Sequence, residues 1–113
     1  MVTDAMPTVG SDKKSFELNG EMIQAVNGCC TNAAGSLAGS DLDMISAVNN
    51  AAQFAGIDWF EAVRMASVYP AKATGTDGKS GYIKPGYAAD LVAVDKNGKV
   101  IKTWTDGKRI DHK

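Results

Sequence analysis

The sequence predicts an α/β fold in which a helical middle segment is followed by a small β meander. Two observations carry this prediction. Between Ser40 and Gly75, apolar residues recur at helical spacing. After Gly75, short apolar runs are separated by Asn-Gly and Asp-Gly dipeptides, which favour tight hairpin turns. The chain has 113 residues, which suffices for one small domain.

The first residues predict the end of a strand and then a hairpin. Residues 1–4 join apolar and polar side chains in an extended pattern, and Pro7 stops its continuation. Residues 15–26 predict a hairpin, because alternating apolar residues flank an Asn19-Gly20 turn. Asn27-Gly28 repeats the turn signal.

The middle of the chain predicts two consecutive helices. Ser40 is expected to cap the first, with Asp43 completing a capping box, and Gly56 to end it. Asp58 is expected to cap the second and Pro70 to end it, with a short third turn over residues 70–74. The apolar side chains expected to be buried are Ile45, Val48, Phe60 and Val63. The chain offers too few strands to cover this helix pair.

The C-terminal third predicts short strands. Residues 81–86 suggest a strand and turn, and residues 89–95 a strand that is apolar on both faces and therefore buried. Residues 100–104 and 108–110 would complete the meander. The turns between these strands are predicted at Asn97-Gly98 and Asp106-Gly107.

Composition limits the function. The net charge is −1, with 12 basic and 13 acidic residues, so we expect no nucleic-acid or membrane partner. No apolar run approaches the roughly 20 residues of a membrane span, and the first residues lack the pattern of a secretory signal. A cytoplasmic location is the expectation.

The cysteines and the histidine give no sign of a disulfide or a metal site. Cys29 and Cys30 are adjacent in the sequence, so we expect both thiols to be reduced. His112 is the one histidine, so we expect no metal site in this chain alone.

Three segments match a known family. They are V-T-D-A-M-P at residues 2–7, G-S-L-A-G-S-x-L-x-M at 35–44 with E-A-V-R-M-A-S-V-Y-P-A-K-A-T-G at 61–75, and G-Y-I-K-P-G-Y-A-A-D-L-V-A-V-D at 81–95. They resemble the C-terminal part of the N-acetylglucosamine-6-phosphate deacetylase family, within the amidohydrolase superfamily. The second segment is the most specific to the deacetylases, and many amidohydrolases share the third.

The resemblance implies a larger fold. The family has a metal-dependent (β/α)₈ barrel and a small β-sandwich. Residues 1–77 would be the C-terminal end of the barrel, with its last strand, a hairpin and two or three helices, and residues 78–113 would be sandwich strands. A whole barrel needs about 250 residues, so we expect a C-terminal fragment of that architecture. The rest of the barrel would cover the helix pair.

The resemblance also implies site residues. Asp4 would be catalytic, accepting a proton from a metal-bound water and later donating one to the leaving amine. Leu37, Ala38 and Gly39 would contact the sugar, largely through backbone atoms, and Gly39 would permit a close approach. On local sequence alone, Asp4 also fits a turn before Pro7, and residues 37–39 fit a lead-in to a helix cap.

The implied reaction is hydrolysis of N-acetylglucosamine 6-phosphate, a phosphorylated amino sugar, to glucosamine 6-phosphate and acetate in amino-sugar catabolism. The full-length protein would use a divalent metal, zinc or iron, and would form a homodimer. Its metal ligands would precede this chain, so the chain alone is expected to be inactive. The alternatives are another amidohydrolase, dihydroorotase-like or deaminase-like, and a non-catalytic truncated module.

Overall fold

The computed structural model describes residues 1–111, so His112 lies outside the described residues. Its elements, in chain order, are strands β1 (Ser15–Leu18), β2 (Glu21–Val26), β3 (Cys29–Thr31) and β4 (Leu37–Ser40), helices α1 (Met44–Ala55), α2 (Trp59–Ala66) and α3 (Val68–Ala73), and strands β5 (Leu91–Val94), β6 (Val100–Thr105) and β7 (Lys108–Ile110). The chain divides into two compact units. The N-terminal unit is Val2–Ala47, and the second begins at Val48 and includes Met1.

The N-terminal unit contains an antiparallel sheet with strand order β1-β2-β3-β4. The predicted turns are confirmed. Asn19 and Asn27 adopt φ near 51°, and the glycine after each also has positive φ. Consecutive positive φ values are typical of the tight turns that match strand twist. The Asn-Gly pairs at residues 19–20 and 27–28 therefore set where β1 and β2 end and where β2 and β3 begin.

The core of the N-terminal unit lies on one face of the sheet. Ile23 and Cys30 are buried, and so is Thr8, whose hydroxyl lies 3.7 Å from the Cys30 sulfur. Cys29 precedes Cys30 on β3 and is exposed, as alternation along a strand requires. Both thiols are free.

The predicted strand at residues 1–4 is wrong. Ala5 instead forms a single parallel bridge with Ser40. The reason is the backbone of Asp4, whose φ of 53° is left-handed and interrupts an extended chain. Pro7 then removes the next available donor.

The predicted helix cap at Ser40 is also wrong, because Ser40 is the last residue of β4. Helix α1 begins at Met44, and Asp43 caps it. The Asp43 carboxylate accepts from the Ser46 amide at 2.8 Å, and its carbonyl accepts from the Ala47 amide at 3.0 Å. The S-x-x-D pattern thus identified the correct region but placed the cap three residues early.

In the second unit, the cap of α2 is confirmed, since the Asp58 side chain accepts from the Glu61 amide at 3.1 Å. Helix α3 begins at Val68 rather than at Pro70. Proline fits this first turn because its missing N–H would have no partner there. Val48 is buried as predicted, but Phe60 is 67% exposed. Ala47 is buried next to Val48 in α1, and the buried side chains of α2 and α3 are Ala62, Val68 and Ala71.

Strands β5, β6 and β7 form an antiparallel sheet, and both predicted turns between them are present. The strand predicted at residues 81–86 is wrong. Lys84 packs over Tyr87, with its ammonium 4.4 Å from the ring centroid, and its carbonyl accepts from the Tyr87 amide in a turn. Val92 is 57% exposed, so β5 is not buried on both faces. Within residues 1–111, no helix is both long and apolar enough to cross a membrane.

Candidate functional site

Asp4 and Gly39 are in direct contact in the N-terminal unit. Gly39 is buried and has a φ of 129°, a backbone conformation that residues with a side chain rarely adopt. A Cβ added at this position would lie 2.9 Å from the Asp4 carbonyl oxygen and 2.5 Å from Cε of Met6. Glycine therefore allows the Asp4 segment to reach the end of β4, and the backbone that approaches Gly39 is that of Asp4.

Asp4 is exposed to solvent, and its backbone is held in an uncommon left-handed conformation. It is one of the few non-glycine residues with positive φ, and it is exposed. Such conformations cost energy, persist where the surroundings impose them, and cluster at functional sites. Here the Ser40 amide holds the Asp4 carbonyl at 2.8 Å. The arrangement can present a carboxylate to solvent from a backbone that is held in place.

Leu37 and Ala38 lie on an irregular part of β4. Cys30 pairs with Gly39 and Thr31 pairs with Leu37, so Ala38 is an extra residue at a β-bulge. Leu37 is 72% exposed. Bulges are frequent beside active sites, where they redirect the chain. The structure thus brings Asp4 and Gly39 together and places Leu37 and Ala38 next along the same strand.

Asn32, which is not among the residues predicted from the sequence, orders the turn that leads into β4. Its side-chain oxygen accepts from the amides of Ala34 at 3.1 Å and Ser36 at 2.8 Å. Its side-chain nitrogen donates to the Glu21 carboxylate at 2.7 Å. Asn32 with Gly35 three residues later is a turn signal that could have identified this role.

Lys14 and Asp41 form an ion pair beside the same strand. The Lys14 ammonium donates to the Asp41 carboxylate at 2.8 Å and to the Thr8 carbonyl at 2.9 Å. This hydrogen bond lowers the pKa of Asp41, and desolvation opposes the effect in part. Lys14 therefore links Asp41, just after β4, to Thr8 in the loop that follows Asp4. The residues are 27 positions apart, so no local pattern predicts the pair.

The described residues do not by themselves fit a metal ion. Within residues 1–111, no group of three or more histidine, cysteine, aspartate or glutamate side chains could hold one. Structural and catalytic zinc sites take at least three such ligands from the protein. A metal of the kind the resemblance implies would therefore need ligands from elsewhere.

Comparison with known families decides the family. A sequence model described as the amidohydrolase family matches residues 4–110, beginning at Asp4. The chain belongs to the amidohydrolase family. The resemblance inferred from the three segments is thus confirmed, and it extends over nearly all of this amidohydrolase chain.

Curated relatives of this amidohydrolase have deacetylase names. The chain is 39% identical over 108 residues to a putative N-acetylgalactosamine-6-phosphate deacetylase of Escherichia coli (strain K12), covering 96% of this chain and 65% of that protein. It is 34% identical over 110 residues to an N-acetylglucosamine-6-phosphate deacetylase of Haemophilus influenzae, covering 96% and 29%. The chain thus spans between 29% and 65% of the length of these relatives.

Solved structures give the same family at the level of the fold. An N-acetylglucosamine-6-phosphate deacetylase from Pasteurella multocida superposes with a TM-score of 0.90 at 38% identity, over 96% of this chain and 29% of that one. The enzyme of that name from Thermotoga maritima gives 0.83 at 28% identity, over 99% and 31%. These neighbours do not favour a dihydroorotase-like or deaminase-like relationship.

Proposed function

We propose that this amidohydrolase chain supplies part of the active site of a deacetylase acting on a 6-phosphorylated N-acetyl amino sugar. The substrate would be N-acetylglucosamine 6-phosphate and the products glucosamine 6-phosphate and acetate. The observation that carries the proposal is the contact between Asp4 and Gly39, in which Asp4 is exposed and has a left-handed backbone. It brings the proposed base next to the proposed sugar-binding strand.

Asp4 would act as general base and then as general acid. Water attacks the acetamide carbonyl and gives a proton to the Asp4 carboxylate. When the C–N bond breaks, the same carboxyl donates that proton to the departing amine. Proton transfers of this kind contribute about 10²–10⁴-fold in rate. A carboxylate on a held backbone suits the task, because transfer requires hydrogen-bond distance.

Leu37, Ala38 and Gly39 would contact the sugar through backbone groups. The bulge at Ala38 supports this role, since the residue has no Cα partner on β3 and a bulge disrupts the hydrogen-bond ladder locally. Glycine at position 39 would bring the sugar-binding strand and Asp4 within reach of one substrate.

The larger architecture forms part of the same proposal. Residues 1–77 would belong to the end of a (β/α)₈ barrel and residues 78–113 to a small β-sandwich, in a cytoplasmic homodimer. Amidohydrolases are generally metal-dependent. The zinc or iron would be held by residues outside this chain and would polarise the acetamide carbonyl.

The test is acetate release by the full-length protein that carries this chain. Purified protein, with zinc or iron supplied separately, is incubated with N-acetylglucosamine 6-phosphate and with unphosphorylated N-acetylglucosamine. Turnover of the phosphorylated sugar with little turnover of the other is expected. No acetate from any phosphorylated amino sugar would overturn the proposal.

N-acetylgalactosamine 6-phosphate is a second candidate substrate. The observation that favours it is the name of the two relatives that are 39% identical over 108 residues, from Escherichia coli strains K12 and O157:H7. The two sugars differ in the configuration of one hydroxyl group. The ratio of kcat/KM for the two phosphates, measured in one mixture, identifies the preferred epimer.

A further inference from the structure

Ser40 makes three hydrogen bonds to the segment around Asp4. Its hydroxyl donates to the Thr3 carbonyl at 2.5 Å, and its amide donates to the Asp4 carbonyl at 2.8 Å. Its carbonyl accepts from the Met6 amide at 2.9 Å. One residue thus contacts the chain just before Asp4, at Asp4 and just after it.

We propose that Ser40 is a positioning residue for Asp4, and that its hydroxyl is the part that matters. The inference rests on the proposed function, in which Asp4 transfers protons. Any residue except proline could make the two backbone hydrogen bonds from position 40. Only a side chain with a donor could hold the Thr3 carbonyl. The same hydroxyl accepts from the Leu42 amide at 3.2 Å, which fixes its direction.

Asp4 needs such support because its backbone is unfavourable. A non-glycine residue with φ of 53° is sparsely populated and relaxes unless its neighbours are held. The hydroxyl of Ser40 holds the peptide that leads into Asp4, on the side that the two backbone bonds do not reach. Loss of this bond would let the peptide rotate and move the carboxylate. A displacement of about 1 Å can cost about 100-fold in rate.

The effect should fall on kcat rather than on KM. Leu37 and Gly39 pair with β3 independently of the Ser40 side chain, so the proposed sugar contacts persist without the hydroxyl. Substrate affinity would then be retained while proton transfer is impaired. A residue that only stabilised the fold would not separate the two constants in this way.

The test compares Ser40→Ala and Ser40→Thr in the full-length protein. We expect Ser40→Ala to lower kcat about 10- to 100-fold, with KM within about threefold of the unsubstituted value. Ser40→Thr keeps a hydroxyl and should restore most of the rate. Ser46→Ala is the matched control. It removes a serine hydroxyl that bonds only the exposed cap of α1, and its kcat should be unchanged.

Hydrogen exchange provides a second measurement. In Ser40→Ala, the Met6 amide should exchange faster, while the amides of β2 keep their rates. Unchanged kcat in Ser40→Ala would overturn the positioning role while leaving the deacetylase standing. Equal loss of rate in the alanine and threonine variants would also overturn it. Inactivity of the unsubstituted protein on both amino-sugar phosphates would overturn the proposed function, and the positioning role with it.

Discussion

Gly39 lies against the carbonyl oxygen of Asp4 so closely that a Cβ would come within 2.9 Å of it. The contact joins the last strand of the N-terminal sheet, next to its β-bulge, to a segment with no regular structure of its own. Both backbones are in conformations that most residues avoid. The local geometry therefore depends on both positions at once.

Replacing Gly39 with alanine should disturb both stability and activity. The new methyl group would overlap Met6 and the Asp4 carbonyl, and the left-handed backbone would be strained, at a cost of about 1–3 kcal/mol. We expect a lower Tm and a lower kcat in the full-length protein. Gly35→Ala is the comparison, because it has positive φ but open space around it, so it carries the strain without the overlap. Equal effects of the two substitutions would contradict this account.

Asp4→Asn should remove turnover while leaving substrate binding intact. The amide has nearly the same shape and tolerates positive φ, so the fold should persist. It cannot accept the proton of the attacking water, and we expect kcat to fall about 10²–10⁴-fold. Inhibitor affinity and kcat are measured on the same variant. Asp43→Asn serves as the control, since asparagine is an equally good helix cap. A kcat within a few-fold of the original would return Asp4 to the role of a turn residue.

The Lys14–Asp41 pair should make stability depend on pH in the acid range. Its hydrogen bond lowers the pKa of Asp41 below the ordinary value of 3.8. The stabilisation is therefore fully present above that value and is lost as the pH falls through the lower, folded-state pKa. Lys14→Met should lower Tm at neutral pH, and the difference from the original should disappear in strong acid. A difference in Tm that stays constant from pH 7 to pH 2 would show that the pair contributes nothing through charge.

The 113-residue chain by itself should not release acetate. The family is generally metal-dependent, and within residues 1–111 no cluster of three or more ligating side chains could hold a metal. The measurement is acetate release from either amino-sugar phosphate with zinc or iron added in excess. Turnover above that of buffer would mean that the chain assembles a metal site from residues not grouped in the structure.

The features that the sequence predicted correctly depend on near neighbours. The Asn19-Gly20 turn and the Asp58 cap each need only a few adjacent residues, whose backbone preferences are strong. The expected role of Gly39, a close approach of its strand to the sugar, stays a prediction. The contact of Gly39 with the Asp4 backbone follows only from the structure.

The features that the sequence did not predict depend on distant partners. Ser40 fits a helix cap on local pattern, but its amide and carbonyl bond to residues near the start of the chain. Those bonds keep it in β4 and delay the helix to Met44. The left-handed conformation of Asp4 has the same origin. No short pattern around Asp4 predicts it, because the residues that impose it are far along the chain.

The hydrogen bond from Ser40 to Thr3 spans 37 residues, and it has a consequence for how the molecule assembles. The hairpins between β1 and β4 join neighbouring strands through short turns, so they close small loops at low entropic cost. The hydrogen bonds between the first residues and Ser40 close a long loop. They can form only when Ser40 is already in place at the end of β4. Folding would therefore complete the sheet first and dock the Asp4 segment last. The same segment would be the first part of this unit to detach when conditions weaken the fold.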